Sequence, residues 1–139
     1  MEWMLMPYKR YADFSGRSRR MEFWMFQLLV IGVYIVCYGL MIAGAPASTY
    51  DPYASSDPGI LFWLGLLLLV VFALGSFIPS LAVAVRRLHD TDKSGWFLLI
   101  NLIPFGGIVL LVFYFLEGNR GENRFGPDPK DPANAQAFR

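Results

Sequence analysis

The sequence predicts an all-α integral membrane protein with three apolar helical segments, the third of them either a broken spanning helix or a re-entrant one. Three observations carry this prediction. Apolar types make up 55% of the 139 residues and charged types only 17%. Almost all charges fall outside three long apolar blocks. Those blocks also lack the polar face that a helix of a soluble domain keeps toward water. A chain of this length makes one domain. It divides into an interfacial N-terminal segment (1–20), a first helix (21–44), an external linker (45–59), a second helix (60–88), a connector (89–95), a third helical segment (96–116) and a polar tail (117–139).

Residues 1–20 open with the aromatic, methionine-rich MEWMLMPYKRYADF, interrupted by Pro7. Trp3, Tyr8, Tyr11 and Phe14 beside Lys9 and Arg10 suit the headgroup zone, where amphipathic rings and basic side chains are both comfortable. A frayed terminus is the equal alternative. Ser15-Gly16 reads as a turn, and Ser18 as an N-cap for the next helix. The block 21–44 is long enough to span, since about 20 residues at 1.5 Å each cross a hydrocarbon core of roughly 30 Å. Its apolar run exceeds that of a secretory signal, so retention as an anchor is expected.

The linker APASTYDPYASSDPG needs no regular structure. The second apolar run, from residue 60 to about 85, contains Pro79, which predicts one helix bent near residues 77–79 and flanked by Ser76 and Ser80. Residues 96–116 then run for 21 positions without a charge, broken at Pro104-Phe105-Gly106-Gly107. Either this is a third, kinked crossing, or it is two short arms of a re-entrant hairpin; three crossings are preferred here. Positive-inside counting puts the N-terminus in the cytoplasm, and the hairpin alternative would hold all twelve Lys and Arg on that side. The tail is expected to form an ordered collar as far as Pro129.

Candidate functional residues cluster in the connector RRLHDTDKSGW at residues 86–96, which holds the sole histidine. If the helix continues through His89, Arg86 and Asp90 share a face. Arg86, Arg87, His89, Asp90, Asp92 and Lys93 then offer guanidinium clamps for an anionic headgroup. The simpler reading is that the arginines anchor a helix end while Asp90 or Asp92 caps the next helix. An acid–base role for His89 oriented by Asp90 has no nucleophile at a defined spacing to support it. One histidine, two nearby aspartates and the single Cys37 make no recognisable metal site. No phosphate or dinucleotide loop is present, so no cofactor is expected. Arg17, Arg19 and Arg20 at the base of the first helix suit an anionic leaflet, worth about 1 kcal/mol per basic residue, better than a nucleic acid. The apolar runs hold no ionisable residue at mid-depth, which argues against an ion pathway.

Three motifs carry a family resemblance. FSGRSRRMEFW at residues 14–24 is similar to F-x-G-R-x-R-R-x-E-[FY]-W, the opening motif of the DUF805 family of small bacterial inner-membrane proteins. RRLHDTDKSGW at 86–96 resembles that family's R-R-L-H-D-x-x-[RK]-S-x-W, and GENRFGPDP at 121–129 its G-x-N-R-F-G-x-[DN]-P. Phe97 stands where many members have a second tryptophan. The resemblance implies a multi-pass protein of the bacterial inner membrane and no established activity. The expected role is structural or accessory, with membrane lipids, a second copy or another membrane protein as partners. The alternatives are a binding module for anionic phospholipid headgroups or a partner protein, and a membrane enzyme or transporter subunit. The motifs' charge placement further suggests a cytoplasmic polar collar. In it Arg17, Arg19 and Arg20 would meet Asp90 and Asp92, and Glu22 would face Arg86 or Arg87. In the hairpin alternative, Asn123, Arg124 and Asp128 join them.

Overall fold

The computed structural model describes residues 2–46, 53 and 57–131. In chain order these form α1 (Glu2–Lys9), α2 (Arg20–Ala43), α3 (Ile60–Asp90), a 3₁₀ helix (Gly95–Leu102) and α4 (Gly106–Phe115). The only β pairing among the described residues is an isolated bridge between Asn123 and Gly126. Most of the expected linker 45–59, and the tail beyond residue 131, lie outside the described residues. The chain forms two compact units, one of residues 28–77, the other of the residues up to 27 and from 78 onward.

In the first unit the middle and C-terminal part of α2 packs on the first half of α3. Both helices are long and apolar enough to cross a membrane. Their contact is made where side chains vanish. A Cβ on Gly65 would meet the Cys37 carbonyl oxygen at 2.8 Å and the Leu40 Cβ at 3.0 Å, so the backbones approach closely. Cys37 is buried there, and Tyr34 meets Phe72 edge-on at 5.8 Å. Gly32, Gly39 and Gly75 have nothing within 4 Å of a Cβ. The outer faces carry Ile31, Ile35, Val36, Leu67, Val71 and Leu74, all exposed. Exposed side chains of this kind need lipid or a partner around them.

In the second unit the first turns of α2 and the last turns of α3 bury Phe23, Phe26, Ala82, Val83 and Leu88, joined by Leu110 of α4. Pro7 of α1 is buried too, and Tyr8 meets Phe26 edge-on at 5.4 Å. α3 runs as one helix through Pro79 and on to Asp90. Ser18 does not act as the N-cap of α2: its hydroxyl has no hydrogen-bond partner, and its N–H donates instead to the Arg86 carbonyl at 3.1 Å.

The third apolar segment is not a continuous helix. The 3₁₀ helix starts at Ser94, whose hydroxyl accepts from the Trp96 N–H, so neither Asp90 nor Asp92 provides the cap. It ends at Ile103. After Pro104, Phe105 takes a left-handed backbone (φ 65°) and α4 begins. A Cβ on Gly106 would collide with the Ile100 carbonyl, which explains the glycine where the two arms turn back on each other. The chain then returns to where it left. The Asn119 N–H donates to the Asp90 carbonyl at 2.8 Å, and the side chain of Arg87 reaches the carbonyls of Tyr114 and Leu116. The segment is therefore two short arms that double back, not one continuous helix.

Candidate functional site

Gly16 (φ 75°) turns the chain so that Arg17, two residues on from Ser15, points into the second unit. Arg17 is sealed from solvent. Its Nε donates to Asp90 Oδ1 at 3.0 Å, and its Nη atoms reach the carbonyls of Gly121 (2.6 Å) and Asn119. Arg87, also sealed, donates from Nη1 to Asp90 Oδ2 at 2.6 Å, and its other nitrogens go to the Tyr114 and Leu116 carbonyls. One carboxylate thus holds two guanidinium groups, one oxygen each. Those groups in turn take up carbonyls from the C-terminal end of α4 and from the tail. Carbonyls left free at the end of a helix need such donors, and cations there also suit the helix dipole. α4 has no basic residue in its own last turn; Arg87 and Arg20, whose Nε donates to Leu116 O at 2.9 Å, supply the charge from elsewhere.

Asp90 joins the first two motifs, Arg17 reaches on from it to Gly121 of the third, and Gly118 makes room for the carboxylate. A Cβ at 118 would fall on the Asp90 carboxylate, a short side chain that two arginines prevent from moving aside. Gly118→Ala is expected to destabilise the protein by about 1–3 kcal/mol through overpacking, read as a lower unfolding temperature in detergent. An unchanged transition would show that the tail does not pack here.

Arg86 does not pair with Asp90, as its spacing suggested. It turns instead toward Glu22 of α2, with Nη2 3.2 Å from Oε1. Both are buried, and this pair is poorly served. Arg86 Nη1 and Nη2, Glu22 Oε1 and the Ser18 hydroxyl all lack a hydrogen-bond partner. The Arg86 Nε has only a long 3.4 Å contact to Ala82 O of its own helix. Desolvation of these charges is repaid chiefly by their mutual attraction.

His89 stacks on Phe125, with ring centroids 3.8 Å apart and planes 3° from parallel. Its Nδ1 lies 3.1 Å from the Gly16 carbonyl, which can only accept, so Nδ1 carries the proton. Asp90 is occupied by the arginines and does not orient this ring, which removes the arrangement expected of an acid–base histidine. Asn123 donates from Nδ2 to the His89 carbonyl at 2.9 Å while its own Oδ1 accepts from the Phe125 N–H. Asp128 folds the tail locally by accepting from the N–H groups of Gly121 and Lys130. Burial raises its pKa, but these hydrogen bonds and nearby Arg17 outweigh that and hold it below the usual carboxylate range.

The remaining collar residues take other partners. Arg19 donates to the Pro129 carbonyl and lies over the Trp3 ring at 5.4 Å, so it meets neither aspartate. Asp92 pairs with Arg124 at 3.1 Å on the surface, an exposed bridge worth at most about 1 kcal/mol. Lys93 sits 4.8 Å over the Phe113 ring. Upstream, Arg10 and Ser15 both bond Asp13; burial raises this carboxyl, yet together they bring it down to about 2. Beside Asp90 opens a cleft of about 430 Å³, lined by Glu117, Asn119, Arg120, Asp128, Lys130 and Asp131 among others. Gly118, Phe125 and the accepting carbonyls of residues 114, 116, 119 and 121 were not among the expected site residues. Phe125 lies within the third motif, but main-chain acceptors leave no trace in a sequence.

Two long apolar helices with open hydrocarbon faces, and a charged clamp confined to the ends of those helices, define a small helical membrane protein. The chain belongs to the DUF805 family, described as a protein of unknown function, whose profile matches residues 11–127. It is 41% identical over 137 residues to the inner membrane protein YhaI of Escherichia coli K12, covering 96% of this chain and all of that one. It is 40% identical over 131 residues to the inner membrane protein YhaH of the same organism, covering 94% and 98%. No solved structure matches it.

Proposed function

We propose that this chain is a multi-pass component of the bacterial inner membrane, with its N-terminus cytoplasmic and a structural or accessory role. In this reading its three motifs close into a clamp on the cytoplasmic side. The E. coli relatives carry the inner-membrane designation in their names. The distribution of Lys and Arg supports the orientation. One observation carries the reading furthest: the uncharged run 96–116 leaves from Asp90 and comes back to Arg87 and Asp90. With both its ends at one place, the tail stays on the same side as the first two motifs.

A structural role follows from how the clamp is wired. The guanidinium groups of Arg17 and Arg87 spend their donors on Asp90 and on carbonyls of the same chain. Little of their hydrogen-bonding capacity is left for an anionic headgroup. The adjoining cleft has four acidic residues against two basic ones, which also disfavours an anion. A compartment-sensitive reporter fused after Arg139 tests the topology. A cytoplasmic signal is expected, and an external one would overturn the reading.

A further inference from the structure

We propose that the 3₁₀ helix and α4 form a half-bilayer hairpin that enters one leaflet only, with residues 102–105 near the bilayer midplane and lipid acyl chains as its partner. This rests on the topology just proposed and goes beyond it, since a tail returned to the cytoplasm does not by itself say where the hairpin lies.

The lengths of the arms fit. Eight residues of 3₁₀ helix rise about 16 Å at 2.0 Å each, and ten of α-helix about 15 Å at 1.5 Å each. Each is half of a hydrocarbon core of roughly 30 Å. The tip is apolar and open: Leu102 and Phe105 are each 82% exposed and Ile103 61%. No charge occurs between residues 96 and 116. At the far end of α4, by contrast, the Leu116 carbonyl is held by Arg20 and the buried Arg87.

The backbone of the turn is prepared for a medium without water. Around it the N–H of Ile103 bonds to Ile100 O, that of Gly106 to Ile103 O and that of Ile108 to Phe105 O, at 2.9–3.0 Å. Pro104 has no N–H to satisfy. These bonds reduce the number of unmet backbone polar groups, each of which is costly in hydrocarbon. The one amide side chain in the arms, Asn101, has its Oδ1 3.0 Å from where a Cβ on Gly107 would sit, beside the first turn of α4. Phe105 adds a further sign. A phenylalanine with φ 65° is strained where glycine would be relaxed, and strain of this kind persists where the side chain is needed.

The test uses the full chain with Cys37→Ala, carrying one nitroxide label at position 96, 105 or 116. It is reconstituted into phosphatidylethanolamine–phosphatidylglycerol vesicles. Collisional relaxation is compared for oxygen, which concentrates in the acyl chains, and a nickel chelate, which stays in water. The side on which cysteines at 96 and 116 lie is read with an impermeant thiol reagent. The expected result is that label 105 relaxes severalfold more with oxygen than with nickel, while 96 and 116 are reached by the reagent from the same side. Relaxation of label 105 by the nickel chelate would overturn the inference and leave the cytoplasmic tail standing. Label 105 shielded from both relaxants would replace lipid by a protein partner, such as a second copy, and also overturn it. Reaction of 96 and 116 from opposite sides would remove both the hairpin and the proposed topology. If Cys37→Ala fails to fold, Phe105→Trp in the native chain is quenched by bromines at the acyl-chain ends or near the headgroup, and its difference from the parent chain with four native tryptophans gives the depth comparison.

Discussion

Asp90→Asn is expected to destabilise the protein by about 3–5 kcal/mol, the cost of leaving buried charge without its counter-charge. The change barely alters volume, so packing contributes little. Asn keeps one acceptor and gains two donors. One of the two guanidinium groups, Arg17 Nε or Arg87 Nη1, would then face an N–H instead of a carboxylate oxygen. Both arginines are sealed from water and have no other acid within bonding distance among the described residues. Denaturant unfolding in mild detergent measures the loss. A change under 1 kcal/mol would mean that the carbonyls of the tail and of α4 are enough for the two cations, and that the aspartate is dispensable. Loss of the clamp should also loosen the chain after residue 116, seen as faster protease cleavage in the tail.

The second large effect concerns Glu22 and Arg86. Arg86→Met alone leaves the Glu22 carboxylate buried and unpaired, and a loss of about 3–5 kcal/mol is expected. The double change Glu22→Leu with Arg86→Met should recover most of that loss and can exceed the starting stability. The reason is specific to this pair: four buried polar atoms around it have no hydrogen bond, so little of the desolvation cost is returned. Replacing both partners removes that cost. A double-mutant cycle gives the coupling energy directly. A double variant as unstable as the worse single would show that the pair contributes more than its hydrogen bonding suggests.

How far the residues reveal the structure differs from element to element. α2 and α3 were legible because uninterrupted apolar runs of spanning length leave few alternatives. The break in the third segment was legible from Pro104, Gly106 and Gly107. Its outcome, two short arms that double back, was not, because 21 uncharged residues satisfy the length of a full crossing equally well. What turns the chain back is the grip of Arg87 and Arg20 on the carbonyls of residues 114 and 116. Any residue type supplies a carbonyl, so no pattern of side chains announces it.

The charged pairs were half legible. Opposite charges in different motifs pointed to Arg17 with Asp90 and to Glu22 with Arg86, both of which meet. Helical spacing pointed to Arg86 with Asp90, which do not. The spacing argument holds for pairs on a solvent-facing helix surface. Here the turn is buried, and longer-range partners decide where each guanidinium goes. Gly118 gave no signal either. It needs no positive φ, and its role is only to leave space for a carboxylate 28 positions earlier in the chain.

Arg17 bonds carbonyls at residues 119 and 121, more than a hundred positions downstream. During synthesis the first helix therefore emerges with a cation whose permanent acceptors have not yet been made. Until residues 119–121 have been made, that charge has no permanent acceptors in the cluster and stays where water can solvate it. The cluster can therefore close only after both long helices and α4 have been made.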